Sequence, residues 1–398
     1  MPLANGRTYL AIPGPSVVPD RVLQAMHQAS PNIYEGALVD MVPGIVSDLK
    51  SIAGTRHNAA IYIANGHGAW EAAISNLFNP GDQVLLLATG MFGHGWGEIA
   101  KRLRVDVKVL DFGLQRTYDV KAVHDALSDD KEHRIKAVLI CHVDTSTSIL
   151  NDIKLLRQTI DATSHPALFM VDCIASMGCE RFEMDRWGVD LAIAASQKGL
   201  MTPPGMGFVF FNEKASAIRE NCKYTSSYWD WQKRANPERF YEYFGGTAPT
   251  QHLFGLRTAL DMINQEGLEN VWDRHKNLAR AYWAAFDAWG QTGPLTMNVA
   301  DPAIRANSVT ALSIGTPYGT QLRQWLMDNT GVTLGVSLGM GTKDDPNGEG
   351  FFRVGHMGHI NAHMVLGVIG AIEAGLEALE IPHGRGGIAA ATKIIAKA

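Results

Sequence analysis

The sequence predicts an α/β fold built on a mostly parallel seven-stranded sheet, and two observations carry this prediction. Seven short apolar runs, rich in β-branched and aromatic residues, have the length and composition of buried strands. Segments with helical periodicity separate most of these runs, which is the alternation of a parallel sheet covered by helices. The strand-like runs are residues 59–64, 83–88, 105–110, 136–142, 167–172, 190–195 and 206–211, and the helical segments between them are residues 68–78, 93–103, 120–127 and 153–163.

The segments on either side of this core indicate two domains. Residues 1–20 form a proline- and glycine-rich arm, and residues 222–249 are rich in aromatic side chains without a regular period. A long helical region over residues 250–289 is interrupted near Gly267. A strand at 309–314 and helices at 319–329 and 362–378 then predict a smaller α+β domain, with a loop at 339–350. We therefore predict an arm over 1–20, a large domain over 21–265 and a small C-terminal domain over 266–398.

Composition and charge exclude several classes of function. The chain has 398 residues, of which 46% are hydrophobic and 19% charged, as in an ordinary soluble enzyme. Its net charge of −5 argues against nucleic-acid binding. The four cysteines show no paired spacing, which favours a reducing compartment. No secretory signal is visible at the start and no apolar stretch is long enough for a bilayer, so we expect a cytoplasmic protein without a membrane partner.

The stretch from residue 190 to 211 carries the first chemical signal. An apolar strand ends in Ser196-Gln197-Lys198-Gly199, and a loop with Pro203 and Pro204 follows before the next strand. Burial lowers the pKa of a lysine, because the charged form is costly to desolvate, and a neutral amine is a nucleophile. Such a lysine can form a Schiff base with an aldehyde cofactor. The alternative is a surface lysine just beyond the end of a strand.

A second signal lies 26 residues upstream, about one strand–connection–strand unit away. The apolar run Ala-Leu-Phe-Met-Val ends in Asp172. Pyridoxal phosphate (PLP) needs an acid beside its ring nitrogen, so that the ring stays protonated and accepts electrons. Ligands of parallel sheets bind at the carboxyl ends of the strands, where both Asp172 and Lys198 are predicted to lie.

At these residues the chain resembles the class V aminotransferases of PLP fold type I, and within them the serine–glyoxylate and alanine–glyoxylate branch. The resemblance is carried by Val171-Asp172-Cys-Ile-Ala-Ser176, by Ser196-Gln197-Lys198-Gly-Leu-Met and by Pro203-Pro-Gly205, and it extends from Pro13-Gly-Pro15 to the C-terminal region. It implies that Lys198 and Asp172 are catalytic, with PLP bound through Lys198 and protonated by Asp172.

The resemblance also implies roles for residues on other turns. Gly66, His67 and Gly68 match the turn that holds the PLP phosphate, at a helix N-terminus that favours anions, and Gln197 matches a further phosphate ligand. Phe92 matches the aromatic residue that stacks on the pyridine ring, and Thr145 the residue that reaches the phenolic oxygen. Thr247 matches a ligand to the neighbouring subunit's phosphate, and Arg353 the arginine that binds the substrate carboxylate. Plain alternatives remain for some of them: His67 as a turn histidine, Phe92 as a core residue and Arg353 as a solvated side chain.

Three departures from the family pattern concern the cofactor phosphate and the substrate. Asn65 stands where a serine is commoner, and Phe244 and Gly246 stand where the family has a tyrosine near Thr247. The N-terminal loop reads Tyr34-Glu35-Gly36, without the arginine that lines the substrate end of the pocket in serine–glyoxylate enzymes. Tyr34 is therefore a candidate substrate contact, and the amino donor is left open.

These observations lead to a ranked set of functional hypotheses. The first is a ping-pong aminotransferase that moves an amino group from serine, alanine or a similar amino acid to a small 2-oxo acid such as glyoxylate. The alternatives in the same branch are aspartate–glyoxylate and pyridoxamine–pyruvate transamination. A lyase such as a cysteine desulfurase is disfavoured, because it needs a mobile nucleophilic cysteine near the C-terminal domain. The last cysteine of this chain is Cys222. We expect a homodimer with shared active sites and no metal site, although His356, His359 and His363 lie close together in sequence.

Overall fold

The structure is a computed structural model that describes residues 3–398, and its chain forms two principal sheets. The strands are β1 (Tyr9–Ala11), β2 (Asn58–Tyr62), β3 (Gln83–Ala88), β4 (Asp106–Asp111), β5 (Ile135–Cys141), β6 (Val143–Asp144), β7 (Ile149–Leu150), β8 (Leu168–Asp172), β9 (Leu191–Ala195), β10 (Gly207–Phe211), β11 (Thr296–Met297), β12 (Val309–Ser313), β13 (Val332–Val336) and β14 (Phe351–Gly355). The helices are α1 (Asp20–Met26), α2 (Ala37–Ala53), α3 (Gly66–Leu77), α4 (Met91–Arg102), α5 (Val120–Ser128), α6 (Ile153–Ala162), α7 (Glu213–Arg219), α8 (Trp231–Ala235), α9 (Thr250–Glu266), α10 (Leu268–Gly290), α11 (Tyr318–Thr330), α12 (Ala362–Ala378) and α13 (Gly387–Ile395).

The large sheet confirms the predicted fold class. Its seven strands are those predicted from the sequence, in the order β2-β10-β9-β8-β5-β3-β4. The neighbours from β9 to β4 pair in parallel, whereas β10 is antiparallel to both β9 and β2. The reversal at β10 follows from its short connection, because the loop with Pro203 and Pro204 has no room for a crossover helix.

The two faces of this sheet are covered by separate apolar cores. In β3, Leu85 and Leu87 face one core, and Val84 and Leu86 face the other. This alternation is the period-two pattern of a strand that is buried on both sides. The sheet is therefore a rigid support, and the loops at the carboxyl ends of its strands are held on fixed elements.

The second sheet has five strands in the order β1-β13-β14-β12-β11, and helices α10 to α13 pack around its apolar core. Only β12 was predicted from the sequence. The arm contributes β1, which pairs in parallel with β13, so the N-terminus of the described chain belongs to this sheet. The break predicted near Gly267 is confirmed, since α9 ends at Glu266 and α10 begins at Leu268. The domain boundary predicted at 265/266 lies beside this break and stays a prediction.

The aromatic segment at 222–249 is more regular than its sequence suggests. It contains α8 and a 3₁₀ turn over Phe240–Phe244. Arg234 of α8 is 2% exposed, stacks on the Tyr62 ring and donates to the Ile61 carbonyl. This arginine therefore ties the segment to the edge strand β2. Within residues 3–398, no helix has the length and apolarity needed to cross a bilayer.

Candidate active site

One cavity lies at the carboxyl ends of the large sheet's strands. Its lining includes residues predicted from the sequence, namely Gly66, His67, Phe92, Thr145, Asp172, Gln197 and Lys198. It also includes residues for which no role was predicted, namely Trp70, Val143, Ile174 and Ala175. The sheet topology therefore brings together groups from five separate loops.

Four predicted residues are not part of this lining. Gly68 belongs to the same turn as His67, and a Cβ there would lie 2.6 Å from the Ala64 Cβ. Arg353 is buried beside Thr145, whose carbonyl oxygen accepts from its Nη1. Tyr34 is 86% exposed and Thr247 is also exposed. The roles of Tyr34 and Thr247 in a substrate pocket and in a neighbouring subunit's site stay predictions.

Asp172 ends β8, lines the cavity and is 3% exposed. Its Oδ1 accepts from the Ile174 backbone N–H at 2.7 Å, and its Oδ2 accepts from the Trp70 indole N–H at 2.9 Å. Burial raises the pKa of this carboxyl to about 7, against the lowering effect of these two bonds. The carboxyl group is thus fixed in orientation and poised between its two protonation states near neutral pH.

Lys198 follows β9 and contacts the N-terminal arm at Pro13 and Gly14. Its Nζ donates to the Pro13 carbonyl oxygen, and a Cβ on Gly14 would lie 2.4 Å from Nζ. Gly14 also has a φ of +101°, so only glycine suits this position. Burial, followed by the nearby positive charge of Arg353, lowers the pKa of Lys198 to about 8. A substantial fraction of the amine is therefore neutral and nucleophilic at mildly alkaline pH.

The turn predicted to hold a phosphate opens helix α3, which begins at Gly66. A Cβ on Gly66 would lie 2.4 Å from the Ile174 Cδ1, so a larger residue here would displace the end of the Ile174 side chain. The N-cap is Asn65, whose Oδ1 accepts from the N–H groups of His67 at 3.1 Å and Gly68 at 3.3 Å. A phosphate at this helix end would have to share these two N–H groups with the Asn65 side chain or displace it.

Gln197 provides another polar group for an anion. Its Oε1 is buried without a hydrogen-bond partner within residues 3–398. A side-chain amide that rotates about its last bond presents a donor in place of an acceptor. Gln197 lines the same cavity as Gly66, and its role as a phosphate ligand stays a prediction.

Phe92 is held at the cavity by a carboxylate that the sequence reasoning missed. Asp144 is fully buried, and its Oδ2 accepts from the N–H groups of Phe92 and Gly93, both at 3.0 Å. Its Oδ1 accepts from the Ser146 hydroxyl at 2.6 Å. Asp144 thus caps helix α4 from another loop and fixes the turn that carries Thr145. The sequence signal that could have identified Asp144 as a site residue is its position directly before Thr145.

Arg353 reaches the site from β14 of the second sheet and is 5% exposed. Its Nε donates to the Val336 carbonyl at 2.8 Å and its Nη1 to the Thr145 carbonyl at 2.9 Å. A guanidinium has five N–H donors, so three remain for a ligand, including both on Nη2. Burial lowers the pKa of Arg353 to about 10, which leaves it charged at neutral pH.

The residues of this cavity fit PLP in most respects. They supply an amine of lowered pKa, an acid for the ring nitrogen, an aromatic wall and a helix N-terminus. The phosphate end fits less closely, because Asn65 already caps two of the N–H groups. Residues 3–398 contain no cluster of three or more metal-binding side chains, and His356 bonds to Thr310 and to the Asn307 carbonyl.

Comparisons with known proteins agree with this chemistry. Residues 8–339 match the family described as aminotransferase class-V. Serine–glyoxylate aminotransferase of Methylorubrum extorquens is 36% identical over 379 residues, which covers 93% of this chain and 91% of that protein. L-aspartate–glyoxylate aminotransferase of Paracoccus denitrificans is 32% identical and covers 96% of this chain and 94% of that protein. The crystal structure of pyridoxamine–pyruvate aminotransferase from Mesorhizobium loti superposes with a TM-score of 0.88 at 25% identity, covering 100% of both chains.

Proposed function

The chain belongs to the class V aminotransferases, and from this premise we propose that it is a PLP-dependent transaminase with Lys198 and Asp172 as its catalytic residues. The amino group passes from a small amino acid, such as serine or alanine, to a small 2-oxo acid such as glyoxylate. The observation that carries the proposal is that Lys198 and Asp172 line one cavity, where the pKa of Lys198 is lowered as a nucleophilic amine requires and the Asp172 carboxyl group is held by two N–H donors.

Each residue has a defined task in this reaction. Bound in the cavity, PLP would supply an aldehyde that exchanges amines and a ring that withdraws electrons. The Asp172 carboxylate holds the proton on the ring nitrogen, in a plane fixed by its two N–H donors. The Lys198 amine takes the proton from the substrate Cα, since its pKa near 8 suits a general base. The free N–H groups of Arg353 orient the substrate carboxylate.

The first experiment replaces the proposed nucleophile. Lys198→Ala is expected to abolish transamination while the far-ultraviolet circular dichroism stays unchanged, because no other amine lines the cavity within the described residues. Lys121→Ala, which removes an exposed lysine paired with Asp125, is the control and should keep full activity. Wild-type turnover in Lys198→Ala would refute the proposal.

A second experiment identifies the donor. Each amino acid in turn is added to the purified enzyme without an acceptor, and the cofactor absorbance is followed as the amino group is transferred. Serine or alanine is expected to react fastest. Reaction with aspartate instead would favour the activity named for the Paracoccus denitrificans relative.

One observation favours a second candidate, transamination of pyridoxamine itself with a 2-oxo acid such as pyruvate. The Asn65 cap occupies two of the N–H groups that would otherwise bind a phosphate, and the similar Mesorhizobium loti structure is that of a pyridoxamine–pyruvate aminotransferase. Such an enzyme needs no phosphate site. Purification without added cofactor discriminates the two: retained PLP supports the first candidate, and turnover of pyridoxamine with pyruvate by a PLP-free enzyme supports the second.

We also propose that the protein is a cytoplasmic homodimer whose sites are shared between subunits. Exposed aromatic side chains, including Tyr34, Tyr224 and Tyr241, are numerous enough to suggest a covered surface. Thr247 is exposed in the single chain, as expected of a residue that serves the neighbouring site. The four free cysteines are buried, which suits a reducing compartment. Sedimentation equilibrium measures the mass, and an active monomer would contradict the dimer.

A further inference from the structure

We propose that Trp70 is a positioning residue that holds the Asp172 carboxyl group in its ionised form and in the plane that faces the cofactor ring. This inference rests on the proposed function, because it assigns Asp172 to the ring nitrogen. The geometry that supports it is a single hydrogen bond, from the Trp70 indole N–H to the Asp172 Oδ2, at 2.9 Å.

The bond is well defined because neither partner has room to move. Trp70 is 1% exposed and its ring lies parallel to Trp96, with centroids 6.4 Å apart and an interplanar angle of 14°. The His67 ring packs against another side of the Trp70 indole, with 4.7 Å between the two ring centroids. On the other partner, the Ile174 N–H fixes the second carboxyl oxygen. Two donors on two different elements therefore determine the orientation of the Asp172 carboxyl plane.

The effect on Asp172 follows from the physics of a buried acid. Burial favours the neutral form of a carboxyl group, and hydrogen bonds from N–H donors favour the ionised form. The pKa of Asp172 is raised to about 7 even with both donors present. Loss of one donor would raise this pKa further, and Asp172 would be protonated at neutral pH. A protonated acid cannot hold the pyridinium proton by charge.

The other groups around Asp172 do not replace the indole. The Cys141 thiol lies 3.7 Å from the same oxygen and is a weak donor. Nearby Asp144 raises the pKa of Asp172, which is opposite to the effect of the indole, and Asp172 in turn raises the pKa of Lys198. Burial holds the pKa of the Cys141 and Cys173 thiols far above neutral, so they carry no charge at working pH. Within the described residues, Trp70 is the only side chain with a normal N–H bond to this carboxyl.

Helix α3 gives this contact a second consequence. The helix begins at Gly66, and Trp70 lies in its first turns. One rigid element therefore lines the cavity with both its N-terminal turn and the Trp70 indole. The distance between the phosphate position and the acid is fixed by the geometry of a single helix.

The test compares Trp70→Phe with Trp96→Phe. Both tryptophans lie in the same apolar core and both variants delete an indole, but the Trp96 N–H has no hydrogen-bond partner within residues 3–398. The readout is the infrared absorption of the protonated carboxyl group in the cofactor-free protein, assigned by its absence in Asp172→Asn. The midpoint of its pH titration is expected to rise by roughly one unit in Trp70→Phe and to stay unchanged in Trp96→Phe.

A second readout is the dissociation constant for PLP, which should increase about tenfold in Trp70→Phe and little in Trp96→Phe. Trp70→Leu is the second variant, and the same shifts are expected of it.

An unchanged titration midpoint in a folded variant overturns the proposal, and so does a failure of both variants to fold, which would assign Trp70 to the core alone. The infrared titration needs no cofactor, so a negative result leaves the proposed transamination standing, and failure of transamination leaves the titration valid.

Discussion

At the scale of single residues, the site is defined by ionisable groups that are buried although burial disfavours their charged forms. Burial raises the pKa of Asp172 to about 7 and lowers those of Lys198 to about 8 and Arg353 to about 10. Each shift measures a folding free energy that the protein forgoes to keep a charged group out of water. Such groups cluster at functional sites because their chemistry needs intermediate pKa values.

The first prediction is that Asp172→Asn stabilises the cofactor-free protein at alkaline pH while it removes most of the activity. The folded pKa of Asp172 lies above the unfolded value of 3.8, so its contribution to stability is present below that value and is lost as the pH rises through about 7. The neutral amide avoids this loss. The gain at pH 8 should be on the order of 2 kcal/mol, after allowance for the poorer fit of the amide to two N–H donors.

Urea unfolding of both proteins between pH 4 and pH 8 measures this difference. Glu180 is also buried, with its pKa raised to about 7. Because it is present in both proteins, its contribution to the pH dependence cancels in the stability difference. A stability difference that does not depend on pH would contradict the assigned ionisation.

The second prediction concerns Arg353→Lys. Arginine uses Nε and Nη1 on two backbone carbonyls and still offers donors to a carboxylate, which lysine cannot do with one ammonium group. We expect kcat/KM to fall for both half-reactions by a similar factor, equivalent to about 2–4 kcal/mol, with PLP still bound. Stopped-flow measurement of each half-reaction tests this. A loss confined to the donor half-reaction would mean that another residue holds the acceptor.

How far the site could be predicted depends on what each residue touches. Lys198 and Asp172 were predicted to lie together because strand ends meet at one edge of a parallel sheet, and both line the cavity, while their catalytic roles stay predictions. Trp70 and Asp144 were missed because their roles depend on contacts between elements 102 and 52 residues apart in sequence. The assignments of Thr247 and Tyr34 stay predictions, because a single chain leaves both exposed and outside the cavity.

At the scale of elements, periodicity was sufficient for the large sheet and insufficient for the small one. The central strands are continuous apolar runs between clear turn signals. In contrast, β13 contains Gly335 and β14 contains Arg353, which interrupt the apolar pattern. β1 has three residues and pairs only with β13, so its signal is too short to recognise. Long-range pairing specifies these strands more than their local sequence does.

The third prediction uses the cap of helix α3 to locate the cofactor phosphate. Asn65→Ala removes the side-chain acceptor for the His67 and Gly68 N–H groups and should destabilise the cofactor-free protein by about 1 kcal/mol. In the presence of PLP the loss should be smaller, because phosphate oxygens would accept from the freed N–H groups. Thermal unfolding with and without saturating PLP measures both values.

The matched control for this prediction is Asn361→Ala. Asn361 caps helix α12 through the Met364 N–H and belongs to the small sheet's helices, outside the cavity lining. Its loss of stability should be equal in the two conditions. Equal losses for Asn65→Ala as well would argue that the phosphate does not bind at this turn and would favour the pyridoxamine alternative.

At the scale of the whole molecule, the site is built where the two sheets meet. Arg353 donates to the Thr145 carbonyl, and the Asn307 side chain donates to Glu180 at 2.6 Å. The arm adds a third connection, since the Ser16 hydroxyl donates to the Lys198 carbonyl at 2.7 Å and the strand before it belongs to the second sheet. The groups proposed to bind substrate and to catalyse the reaction are therefore positioned by different sheets, and their relative position depends on these contacts.

The last prediction tests whether the active sites are shared between two copies of the chain. If Lys198 acts within its own subunit and Thr247 serves the neighbour, a mixed dimer of Lys198→Ala and Thr247→Glu contains one site with both changes and one site with neither. Thr247→Glu alone should be inactive because a carboxylate repels a phosphate, and the fold should survive because position 247 is exposed. Co-expression of the two inactive variants should restore about a quarter of wild-type activity, since half of the dimers are mixed and each has one intact site. Sites contained within one subunit would give no recovery, and an active Thr247→Glu homodimer would remove Thr247 from the phosphate site.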